Sequence, residues 1–108
     1  MKLLTKSIEN KLTKAVPACE DNKPHLKLFN PCGAATWLLS EYDAENEVFF
    51  GLCDLGMGSP ELGYVSLGEL LQIKLPMGLK IERDLHWEPK YTLSEYARKA
   101  SEHGSIRV

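Results

Sequence analysis

A chain of 108 residues, 44% hydrophobic and 26% charged, has the size and composition of one folded domain and argues against intrinsic disorder. Its net charge of −2 leaves no global basic footprint for nucleic acid, and no apolar run approaches the ~18–20 residues of a membrane span. The charge is uneven: residues 1–30 hold six Lys and three acids, residues 31–71 hold seven acids and no Lys or Arg, and residues 72–108 hold seven basic and five acidic residues.

Leu4, Ile8, Leu12 and Ala15 or Val16 recur at helical spacing, so an amphipathic N-terminal helix is expected to end before Pro17. Lys6, Glu9, Asn10 and Lys11 break this segment up. It therefore lacks the continuous apolar stretch of a secretory leader, and a cytoplasmic location is expected. A polar loop, "PACEDNKP", leads to a short strand, "HLKLFN", which "NPCG" turns. "AATWLLSEYD" and "EVFFGLCDL", rich in aromatic and branched residues, form a hairpin through "DAEN". The loop "GMGSPE" separates that pair from a strand at "LGYVSL".

Ser66 stands three residues before Glu69, the spacing of a capping box, which places a short helix over "LGELLQIK". "PMG" breaks it, "LKIERDLHW" is expected as the last strand, and Thr92 and Glu95 repeat the capping spacing before a helix ending at Gly104. Most of the links between strands are too short for parallel crossovers. The expectation is a single α+β domain over residues 1–108. Its sheet is mainly antiparallel with four to five strands, and its helices are N-terminal, short internal and C-terminal, the terminal two covering one face.

Within "KIERDLHW", Glu82, Asp84 and His86 alternate with Ile81, Arg83 and Leu85. On a strand the first three project to one side, and carboxylates with a His suit Mn²⁺ or Zn²⁺. Three groups in a line cannot surround an ion without a ligand from elsewhere, and the same alternation describes the wet face of a strand. Arg83 falls on the apolar side and needs either the sheet edge or a carboxylate, for which Glu69 is the candidate; it could equally grip an anionic ligand. Glu88-Pro89-Lys90, with Asp84 upstream, has the spacing of a metal-dependent nuclease strand, but Pro89 suits no central strand.

Cys19, His25 and Cys32 lack the paired spacing of a zinc site. Cys32 and Cys53 are expected as buried structural thiols, Cys53 having no base beside it in sequence. "GMGSPELG" lacks the Lys-Ser/Thr ending of a phosphate loop, and no cofactor is expected. Trp37, Tyr42, Phe49, Phe50, Tyr64 and Trp87 are expected in the core.

Taken together, "LFNPCGAATW", "FFGL", "ELGYVSLGEL" and "IERDL" resemble a family of small bacterial proteins of plasmids and mobile elements, domain-of-unknown-function family 2958. The likeness runs over about residues 26–96. It implies a compact α+β fold and a mobile-element setting, and it implies no catalytic residue. The leading functional expectation is a non-catalytic binding protein, an anti-defence factor. Its surface of Glu41, Asp43, Glu45, Glu47, Asp54 and Glu61 would meet a protein partner with a basic surface. One alternative is a metal-dependent nuclease or phosphoesterase using Glu82, Asp84 and His86. Another is an accessory DNA-binding protein using Lys2, Lys6, Lys11 and Lys14 of the N-terminal helix. No membrane partner is expected.

Overall fold

The computed structural model describes residues 3–12 and 23–107. The elements run α1 (Lys6–Lys11), β1 (Leu26–Phe29), β2 (Thr36–Asp43), β3 (Val48–Asp54), β4 (Glu61–Ser66), α2 (Leu67–Gln72), β5 (Glu82–Arg83) and α3 (Leu93–His103). The five strands form one sheet in the order β4-β3-β2-β1-β5, and every pairing is antiparallel. This is the α+β architecture expected. β1 to β4 follow one another as a meander. The chain then crosses one face as α2 and a 3-10 turn at Pro76–Gly78 and returns as β5 beside β1.

The helices do not share a face. Leu4, Ile8 and Leu12 of the α1 region, with Leu70 and Ile81, pack on Leu26, Leu28, Trp37, Leu39, Tyr42 and Phe49. Leu93, Tyr96 and Ala100 of α3 pack on Leu38 and Leu52 from the other side. The chain ends were expected on one face, but β2 and β3 each carry apolar residues at both parities. A sheet apolar on both faces needs a cover on each.

β2 also carries a bulge between Leu39 and Glu41, where Ser40 has no partner in the register with β3. One extra residue reverses the side-chain parity beyond it. Tyr42 thereby joins Trp37 and Leu39 in the larger core, and Glu41 falls opposite Phe50 on the α3 face. Gly51 lies against this irregularity. A Cβ there would sit 2.1 Å from the Leu38 carbonyl oxygen and 2.7 Å from Leu39 Cα, so only glycine fits.

Local chemistry explains most boundaries. Asn30 Oδ1 accepts from the Cys32 amide at 2.7 Å and turns β1 into β2. Ser66 Oγ accepts from the Glu69 amide at 3.0 Å and caps α2. Gly104, at φ 75°, closes α3 in the left-handed conformation. The Thr92 side chain makes no cap bond and faces the Ser94 hydroxyl at 3.5 Å. Other expectations fail. The last strand is two residues long in place of nine, Cys32 is exposed on its turn, and Tyr64 is 58% exposed on the edge strand β4.

Candidate functional site

"KIERDLHW" stops being a strand after Arg83. Asp84 Oδ1 accepts from the His86 amide at 3.0 Å, an Asx turn that reverses the chain at Leu85 and His86. Leu85 is accordingly exposed. Asp84 Oδ2 lies 3.2 Å from Lys27 Nζ. Partial burial pushes the Asp84 carboxyl up, but the His86 amide and Lys27 together outweigh it and hold it below the usual range. Glu82, Asp84 and His86 therefore do not form one edge, and among the described residues no three His, Cys, Asp or Glu are placed to hold a metal. Glu88-Pro89-Lys90 lies in irregular chain, not on a strand.

Arg83 sits opposite Leu28 on the apolar face, half-buried. Glu69 stands exposed on the helix that follows β4, at the opposite edge of the sheet. The two belong to opposite edges, and the expected Arg83–Glu69 pair is not among the ion pairs joining described residues, which are Lys6–Glu9, Lys27–Asp84 and Arg98–Glu102. Burial pushes the Cys53 thiol up to about 11, as for an inert thiol. Cys53 is in register with Trp37, on the face opposite His86 and α3. Lys2, Lys14 and Cys19 lie outside the described residues, and Lys6 of α1 is 3.6 Å from Glu9.

The acidic segment does not form one surface. Glu41 and Asp54 are each 1% exposed and cannot meet a partner. Glu41 lies beyond the β2 bulge on the covered α3 face, opposite Phe50. Asp54 is consumed as a structural acceptor, with Oδ1 on the Gly56 amide at 2.8 Å and Oδ2 on the Ile106 amide at 2.9 Å. Glu61 is exposed but pairs with Cys53, whereas Ser66, at the other end of β4, pairs with Val48 beside the hairpin tip. Five residues of strand put Glu61 about 17 Å from that end.

What remains is an acidic end. Glu45 and Glu47 are exposed on the tip. Asp43 organises the turn, accepting from the Glu45 amide at 3.0 Å, the Asn46 amide at 3.3 Å and Asn46 Nδ2 at 2.8 Å. The Asn46 bonds, side chain first, hold the Asp43 carboxyl below its usual range. The Leu67 amide donates to the Glu47 carbonyl at 2.9 Å, so α2 begins beside the tip, but it runs back over the sheet, and its Glu69 lines a depression with Trp37, Cys53 and Leu55 toward the other end of the hairpin. Burial raises the Tyr42 hydroxyl, and the charges of Glu47, Glu9 and Asp43 raise it further. Glu9 of α1 thus lies near the tip, an acid that the expected surface did not include.

A second feature lies on the α3 face. Residues of the segment 86–91, α3 and the segment after it line an open cleft of about 690 Å³. Tyr96, Lys99, Ala100 and His103 follow one another at helical spacing along one wall, and Trp87, Lys90 and Tyr91 form the other. The Lys90 amide donates to Tyr96 Oη at 2.9 Å and ties the walls together. Trp87, Tyr91, Lys90, Lys99 and Arg107 were not singled out as one site, because they come from three segments whose packing the sequence does not state.

A family model described as "Protein of unknown function (DUF2958)" matches residues 2–107, nearly the whole chain. No curated protein and no solved structure matches it.

Proposed function

The chain belongs to the DUF2958 family, and we propose that it is a non-catalytic binding protein whose acidic hairpin end, Asp43, Glu45 and Glu47, docks on a basic protein surface. The observation that carries this reading is the exposure of Glu45 and Glu47 on one hairpin tip in a stretch, residues 31–71, without a single Lys or Arg. Exposed like charges attract a basic partner over about a Debye length and contribute most to encounter and specificity. Asp43 adds rigidity, since its three hydrogen bonds fix the tip before any partner arrives.

A bacterial mobile element and the cytoplasm are the setting that goes with this proposal. There the end would compete with nucleic-acid phosphates for Lys and Arg of a host defence protein. Among the described residues no helix is long and apolar enough to cross a membrane. The metal-dependent alternative loses its edge to the Asp84 turn, and the DNA-binding alternative has Lys6 beside Glu9.

The test is capture of proteins from a bacterial lysate by the immobilised chain and by Glu45→Lys/Glu47→Lys. Basic nucleic-acid-binding proteins should be retained at ~0.1 M salt. They should be lost at ~1 M, where the Debye length falls to ~3 Å, and lost on charge reversal at low salt. Retention unaffected by either change would overturn the proposal.

A further inference from the structure

The cleft on the α3 face has the opposite electrostatic character to the acidic end. Lys90, Lys99 and Arg107 line it, and none of the three belongs to an ion pair between described residues. Of the two carboxylates present, Glu102 is held by Arg98 at 3.1 Å. That leaves Glu88 as the one lining acid outside a described ion pair. Three cations against one carboxylate favour an anion.

The floor is aromatic. Trp87 and Tyr91 both pack on the buried Tyr96, with ring centroids 5.9 and 5.4 Å away. Tyr91 is 39% exposed and Trp87 half-buried, so ring surface remains for a further flat group. Lys99 Nζ stands over the Tyr91 ring, 4.7 Å from its centre, which puts positive charge on that face and leaves the Trp87 ring and the rest of Tyr91 for stacking. About 690 Å³ is within the usual range for sites that take small organic ligands.

We propose that this cleft binds a nucleotide, its base stacking on the Trp87 and Tyr91 rings and its phosphate held by Lys90, Lys99 and Arg107. Neither half of the ligand alone answers the site. A bare anion leaves the aromatic floor open, and an uncharged ring leaves the excess of positive charge unanswered. The chemistry is that of a free mononucleotide or of one unit in a single strand, where stacking and backbone charge act together. The proposal does not depend on the acidic end.

The indole N–H signals of the two tryptophans supply the test. Trp87 lines the cleft, and Trp37 is buried in the core on the opposite face, an internal control. AMP, GMP, CMP and UMP are titrated separately into the ¹⁵N-labelled full chain, followed by adenosine, inorganic phosphate and a short oligonucleotide. A saturable shift of Trp87 with at least one mononucleotide, Trp37 unmoved, is expected. Adenosine and phosphate should each bind at least about tenfold more weakly, as should Lys99→Ala and Arg107→Ala. Tighter binding of the oligonucleotide through the same Trp87 signal identifies a strand unit as the source; equal or weaker binding identifies the free nucleotide. No Trp87 shift with any nucleotide at millimolar concentration overturns the proposal. Equal binding of phosphate alone or of adenosine alone also overturns it. Both variants keep the wild-type Trp37 signal if they are folded, which separates lost binding from lost structure.

Discussion

Glu41 carries a carboxyl at 1% exposure with neither oxygen hydrogen-bonded. Burial is the cause that pushes its pKa up, because the charged form loses more hydration than the neutral one. A carboxyl raised in the folded state works against folding once it must ionise. The penalty is absent below the unfolded value of about 4.3. It grows as pH rises past that value and levels off above the folded one. Glu41→Gln should therefore leave stability at pH 4 nearly unchanged and raise it at pH 8 by on the order of 1 kcal/mol, the scale of one unsatisfied buried group. Urea denaturation of both proteins at the two pH values checks this; an equal effect at both would mean that ionisation of Glu41 plays no part. Asp84 shows the contrast, its charged form satisfied by Lys27 and the His86 amide.

Single side chains set the length of elements here. α2 spans six residues, too few for a helix to hold by propensity alone. Its first turn depends on the bond from the Glu69 amide to Ser66 Oγ and on Leu70 buried in the core. Ser66→Ala should cost about 1 kcal/mol, read as a lower urea midpoint with an unchanged slope. Ser66→Asp, which keeps an acceptor there, should restore most of it. At the hairpin tip, Glu47 takes φ 53°, a left-handed conformation few non-glycine residues adopt. Its carbonyl holds the Leu67 amide, so the tip and α2 stabilise each other. The Asp84 turn ends β5 by the same means, a side-chain acceptor competing with the ladder for an amide.

At the scale of the whole molecule, Asp54 joins the end of β3 to the segment after α3, through residues 52 apart in sequence. Ile106 packs against the α3 core, and both Ile106 and Arg107 line the cleft. Removing the acceptor leaves two amides without it. Asp54→Ala should therefore cost about 2 kcal/mol and speed hydrogen exchange at residues 104–107 more than in β2. Uniform acceleration along the chain would instead mean that the tie serves global stability alone. The charges are segregated as well. The acidic end lies at the β2–β3 tip, and the cleft cations lie on the segments around α3. Charge reversal at Glu45 and Glu47 should leave the cleft unaffected, because sites without shared partners add independently.

Short-range chemistry was legible in the chain. The turns at Asn30–Gly33 and Asp43–Val48, the Ser66 cap, the Gly104 stop and the antiparallel meander all follow from residues within a few positions of one another. Family membership was legible too, in the run from "LFNPCGAATW" to "IERDL". Alternation misled where one local event outweighed the pattern. The Asp84 turn shortened β5, and the β2 bulge sent Glu41 to the α3 face and Tyr42 to the larger core. A bulge needs the partner strand's register to be seen, and a single sequence does not carry that register. Which face α3 covers, which acids stay wet and which cations meet Trp87 and Tyr91 were decided by tertiary packing alone. Each depends on contacts between segments far apart in sequence, and burial, not residue type, determines whether a carboxylate is a surface charge or a structural acceptor.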